Sequence, residues 1–66
     1  MGEDRPPVAG YDALGAREAM RAILDLPAAT LAALHSYEER HRRRSHVLAA
    51  IRRALARRAA VDTAER

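Results

Sequence analysis

Three histidines and one glutamate are the residues best equipped for chemistry in this chain: His35, His41 and His46, with Glu38 between the first two. Two imidazoles must recur at about three or four residues to face one metal ion from a single helix, and these lie six and five apart. There is no cysteine to supply a thiolate instead, so no metal and no cofactor is expected. Ser36 and Ser45 are the only serines, and neither stands in a recognisable nucleophile motif. No glycine-rich phosphate loop is present. Glu38 has no second carboxylate or nucleophile spaced to work with it as a general acid. A domain this small also lacks room for a pocket, so neither an enzyme nor a small-molecule substrate is expected.

Arginine is the other chemical resource. All twelve basic residues are arginine, and the chain contains no Lys, Asn or Gln. A GC-rich coding sequence yields such a bias without selection for the bidentate geometry that arginine offers. The distribution says more than the total of +3. Residues 1–39 hold seven acids against three arginines, a net −4, and residues 40–66 hold nine arginines against two acids, a net +7. Such asymmetry points to a basic contact surface or to electrostatic pairing of the two halves. Eight of the arginines fall in "YEERHRRRSHVLAAIRRALARR", residues 37–58. Two tyrosines are the only Phe, Trp or Tyr residues, which argues against a stacking surface for single-stranded nucleic acid.

Sixty-six residues allow one small domain with a marginal core. Without disulfides, its stability must come from helix packing, self-association or a partner. The start "MGEDRPPVAG" is acidic and proline-rich, without the basic-then-apolar pattern of a signal peptide, and Pro6 stands where a myristoylation motif requires Ser or Thr. The uncharged runs are too short to span a bilayer. A cytoplasmic location is the expectation.

Periodicity divides the chain into a disordered N-terminal tail over residues 1–10, a three-helix domain over 11–60 and a C-terminal tail over 61–66. In the first helix, about residues 16–25, Ala16, Ala19, Met20, Ile23 and Leu24 form an apolar stripe. Gly15 can serve as N-cap there, Glu18 as half of a capping box, and Leu14 can staple against Ala19. Pro27 suits the first position of a second helix over about 27–40, which puts Leu31, Leu34, Tyr37 and His41 on one side. Ser45 is a candidate N-cap for a third helix over about 46–60, whose stripe is Val47, Leu48, Ile51, Ala54 and Leu55.

On that third helix Arg53 lies opposite the stripe, Arg52 and Arg57 lie on its flanks, and Arg58 falls on the stripe itself. A recognition helix would gather its basic and amide side chains on one edge. Arg40, Arg42, Arg43 and Arg44 fall at the junction of helices two and three, where cations also complement the end of the helix dipole. With Arg52 and Arg53 they form the candidate anion-binding set for nucleic acid or an anionic membrane surface. Glu38 falls within the apolar arc of the second helix. A buried carboxylate is costly unless paired, so Glu38 requires a shallow face or a specific partner: Arg44, or the open amides at the start of the third helix. Glu38, Arg44 and Ser45 are therefore read as structural polar residues.

The order "YDAL", an alanine-rich helix ending "LDL", then "LAALHSYEERH" and "RRSHVLAAIRRAL" resembles a short helical domain of unknown function found in actinobacterial proteins, over about residues 11–55. In that pattern a Tyr, an acidic residue and a Leu open the first helix, and a Tyr-Glu pair precedes an Arg and a Val-Leu pair. Tyr11, Asp12, Leu14, Tyr37, Glu38, Arg44, Val47 and Leu48 match those places. Gly15 and Pro27 stand where the pattern has Ser or Thr, so both helix starts are less firmly capped. The resemblance implies a compact three-helix unit, often appended to other proteins and in some relatives tied to lipid droplets. It implies no catalytic chemistry.

The expectation is an all-α, compact three-helix unit that serves as a protein-interaction module, docking onto a protein partner or associating as a homo-oligomer. Its contact surface would use Leu31, Leu34, Ile51 and Leu55 wherever three short helices leave them uncovered. The alternative is an arginine-rich binder of nucleic acid or anionic membrane.

Overall fold

The computed structural model describes the backbone over residues 5–64 and side chains over residues 5–61. A 3-10 turn at Tyr11–Ala13 leads into helix α1, Ala16–Ala22, which tightens into a second 3-10 turn at Ile23–Asp25. Helix α2 spans Ala28–Arg40 and helix α3 spans Ser45–Ala64. No strand occurs among the described residues, so the architecture is all-α, with three helices packed around one core. No helix of the described residues is long and apolar enough to cross a membrane.

Local chemistry sets each boundary. Gly15 takes extended geometry (φ −74°, ψ 174°) and its N–H donates to Glu18 Oε1 at 3.0 Å, the half capping box read from the sequence. The helix expected over 16–25 keeps α geometry only to Ala22. Pro27 disfavours helical geometry at Leu26, which is extended (φ −87°, ψ 144°), so the last turn before it tightens to 3-10. A 3-10 turn advances each side chain by about 120° rather than about 100°. This rotation corrects one core assignment: Ile23 is buried, but Leu24 is 59% exposed. Pro27 itself lies just outside α2 rather than at its first position, with its carbonyl accepting from Leu31 N–H at 2.9 Å.

Ser45 is the first residue of α3, not its cap. The Leu48 N–H bonds to the Arg44 carbonyl at 2.9 Å, which places the capping position at Arg44. At its other end α3 runs on to Ala64, so residues 61–64, expected as tail, are helical and 65–66 lie outside the described residues. No Gly or Pro follows Ala54, and Ala56, Ala59, Ala60 and Ala64 all favour the helix. The N-terminal tail expectation falls partly on residues 1–4, outside the description. Residues 5–10 hold no helix or strand, and within them Val8 packs against the core.

The core consists of Tyr11, Ala19, Ile23, Leu31, Leu34, Tyr37, Val47, Ile51 and Ala54. Helices α2 and α3 each contribute one stripe, α1 contributes Ala19, and the two 3-10 turns contribute Tyr11 and Ile23. This corrects the expected interaction surface. Leu31, Leu34 and Ile51 are fully buried and Leu55 is half-buried against the core. The fold consumes these side chains because each lies at the centre of its helical stripe, where the other two helices converge.

Candidate functional site

The polar centre of the molecule is the Glu38 side chain, which has no solvent exposure. It lies near the C-terminal end of α2 on the same face as Leu31 and Leu34, so it enters the core with them. Tyr11 comes from the opening 3-10 turn and Arg44 from the α2–α3 corner, so three separate segments meet at one carboxylate. The Tyr11 hydroxyl donates to Oε1. Arg44 donates to Oε2 twice, from its backbone N–H at 2.9 Å and from Nε at 2.9 Å, and to Oε1 from Nη2 at 3.2 Å. Both partners anticipated for Glu38 are thus present, the guanidinium and an amide at the entry to α3.

Burial by itself would push the Glu38 carboxyl up. The hydrogen bonds from Arg44 and Tyr11 and the charge of Arg44 outweigh it, and the net shift is below the ordinary carboxylate value. The same bond holds the Arg44 guanidinium above its usual range. Burial, the bond to Glu38 and the charge of that carboxylate raise Tyr11 from 10.0 to about 12. The cluster therefore holds a carboxylate anion, a guanidinium cation and a neutral phenol throughout the physiological range.

A second layer surrounds it. Arg44 also donates from Nη1 to the Leu14 carbonyl at 3.0 Å, and its guanidinium lies 5.5 Å from the centre of the Tyr11 ring. Tyr37 stands edge-on to Tyr11 with ring centres 6.0 Å apart, and its hydroxyl reaches both Asp12 oxygens at 2.8 and 2.7 Å. Arg42 donates to the Asp12 carbonyl at 2.8 Å. The opening turn is thereby fastened to the α2–α3 corner by side chains from both ends of its sequence. At the corner, the Arg43 N–H bonds back to the Glu38 carbonyl at 2.6 Å while Arg43 takes a left-handed φ of 52°. That closes α2 as a glycine usually does.

The six candidate anion-binding arginines are not brought together. Arg44 is half-buried and bound to Glu38. Arg42 and Arg43 donate to backbone carbonyls, Arg43 to that of Glu39 at 3.3 Å. Arg40 is exposed at the end of α2. Arg52 and Arg53 are exposed on α3, about 12 Å along its axis from the corner. The junction reads as basic in sequence, but its guanidinium groups mostly satisfy carbonyls and a carboxylate of the fold.

The histidines are likewise dispersed. His41 stacks on Tyr37 at 4.3 Å, and His46 is exposed. His35 Nδ1 lies 3.7 Å from Glu39 Oε1, while its Nε2 is buried without a hydrogen-bond partner. Among the described residues no three His, Asp or Glu side chains are grouped to share a metal ion, and no cavity is found. Sequence reasoning assigned no role to Tyr11 or Asp12, because their partners lie 27 and 25 residues away. The one signal was their place in the Tyr, acidic, Leu pattern, whose members prove to be the groups of this cluster and its surroundings. Comparison with protein-family models, with curated proteins and with solved structures returned no match.

Proposed function

We propose that the chain is a small, non-catalytic helical interaction module, a docking or accessory unit that acts in the cytoplasm by binding another protein or a second copy of itself. One observation carries this reading: the polar groups with chemical potential are bound to one another inside the fold, whereas apolar surface remains at its edge. Leu24 and Val61 are 59% and 57% exposed, the large apolar side chains left open among the described residues. The convergence of Tyr11, Asp12, Leu14, Tyr37, Glu38 and Arg44 on one cluster supports placing the chain with the three-helix domain it resembles. It also supports treating that domain's pattern as a rule for folding rather than for catalysis.

The test is a photo-crosslinking residue placed at Leu24, Val61 or Arg17 in turn, in the full chain in its host cell. A crosslinked protein of fixed mass, obtained from at least one position, is expected. Absence of any crosslinked protein from all three positions would sink the module reading. A second reading has one observation in its favour: Arg52, Arg53 and Arg57 are exposed and have no carboxylate partner among the described residues. If they bind nucleic acid or anionic membrane, duplex DNA or anionic vesicles will bind at low salt and release steeply as salt rises. No binding at low ionic strength would remove that reading.

A further inference from the structure

We propose, building on the interaction-module reading, that the far end of α3 and Leu24 form a docking face for an amphipathic helix of a protein partner, one whose apolar stripe is flanked by carboxylates. Helix α3 outruns the core. Its fully packed positions are Val47, Ile51 and Ala54, and beyond Ala54, among the described side chains, only Leu55 and Arg58 are half-buried. The stripe nevertheless continues with the same alternation of four and three residues, to Arg58 and then Val61, so the helix extends its core-facing side past the elements that cover it.

Leu24 belongs to the same place. Arg58 Nη2 donates to the Leu24 carbonyl at 3.3 Å, and Val61 stands one turn beyond Arg58, about 5–6 Å away. Arg58 thereby ties the backbone at Leu24 to the stretch of α3 that carries the exposed Val61, and its remaining donors have no partner among the described residues.

Charge selects the occupant. Arg53 and Arg57 are four residues apart on one face of α3, a like-charged pair that destabilises an isolated helix, and neither has an ion-pair partner among the described residues. Arg57 projects beside Val61 at about 40° around the helix. A partner helix that buries aliphatic side chains against Leu24 and Val61 would place flanking carboxylates opposite Arg57 and Arg58. A phosphate backbone would use these arginines too, but it would leave Leu24 and Val61 uncovered.

The experiment measures fluorescence anisotropy of the full chain with a labelled helical peptide carrying a leucine stripe flanked by glutamates, and with the same peptide carrying glutamines. The glutamate peptide is expected to bind, and the glutamine peptide to bind at least about tenfold more weakly. Val61→Asp, Leu24→Ser and Arg57→Gln should each weaken the glutamate peptide by about as much, whereas Arg17→Gln on α1 should not. These positions lie outside the buried core, and circular dichroism of each variant checks that it is folded. No binding of the glutamate peptide, or binding unaffected by Val61→Asp and Leu24→Ser, would overturn the inference. Tighter binding of duplex DNA or anionic vesicles at the same salt would overturn it in favour of another class of partner. Sedimentation that shows a dimer broken by Val61→Asp would overturn it in favour of a second copy, and the module reading would survive. That reading fails separately, by loss of all crosslinking.

Discussion

Replacing Glu38 by Gln keeps the size of the side chain and removes its charge, in a site where every neighbouring polar group donates. The carboxylate accepts from the Tyr11 hydroxyl, the Arg44 N–H, Nε and Nη2. An amide offers one acceptor oxygen, and its nitrogen must face donors. If the nitrogen replaces Oε2 it meets the Arg44 N–H and Nε, and two bonds are lost. If it replaces Oε1 it meets the Tyr11 hydroxyl, which turns to accept, and Arg44 Nη2, which cannot. The second arrangement is the cheaper, and it loses one charge-assisted bond and weakens the others. Its cost is about 2–4 kcal/mol, against a total of about 3–10 kcal/mol for a chain of this length. Urea denaturation followed by far-UV circular dichroism measures it. A double-mutant cycle locates it: Glu38→Leu and Arg44→Met should each cost about 3–5 kcal/mol by leaving the other charge buried and unpaired. Together they should cost at least about 2 kcal/mol less than the sum. Additive losses, or a Glu38→Gln effect below about 0.5 kcal/mol, would refute the reasoning.

Three further outcomes follow from the geometry. Arg43 holds a left-handed φ of 52°, so Arg43→Gly should raise stability by about 0.5–1 kcal/mol in the same urea assay, the relief of strain exceeding the added freedom of the unfolded chain. Tyr11 is raised from 10.0 to about 12, so its contribution is full below 10 and is lost as pH rises through 12. Tyr11→Phe should flatten that alkaline decline and cost about 1–2 kcal/mol at neutral pH, read as urea midpoints across the alkaline range. Leu31→Ala should lower stability by about 2–5 kcal/mol, as a buried residue does, and thermal denaturation of the variant would show an unchanged midpoint only if Leu31 were surface.

The three helices were legible because their stripes repeat at helical spacing: Leu31 to Leu34 and Val47 to Ile51 mark the buried faces directly. Glu38 was legible as an anomaly in such a stripe, and Arg44 as a partner near it in sequence. Leu24 was misplaced because a 3-10 turn imposed by the downstream proline rotates it away from the core, an effect that a uniform helical wheel omits. The apolar stripe of α3 gives no guide beyond Arg58, which falls on it, whereas alanine propensity with no Gly or Pro carries the helix on to Ala64. Tyr11 and Asp12 carry no local signal of their roles. Their hydrogen bonds depend on how the opening turn packs across the α2–α3 corner, and only tertiary structure brings them there. At the arginine corner, the Asp12 and Leu14 carbonyls that accept from Arg42 and Arg44 lie 30 residues away, so they too have no local signal, whereas Arg43 and Arg44 also bond to Glu39 and Glu38 of α2.

Arg44 and Tyr11 keep the buried Glu38 carboxylate ionised, and NMR titration of that side-chain carboxyl tests this most directly. A depressed folded pKa means that the stabilisation is complete above the unfolded value near 4.5 and disappears as pH falls through the lower folded value. The predicted result is a Glu38 carboxyl that is still ionised at 4.5 and takes up its proton only below that value, as the fold is lost. A Glu38 carboxyl that titrates at or above 4.5 with the fold intact would contradict it.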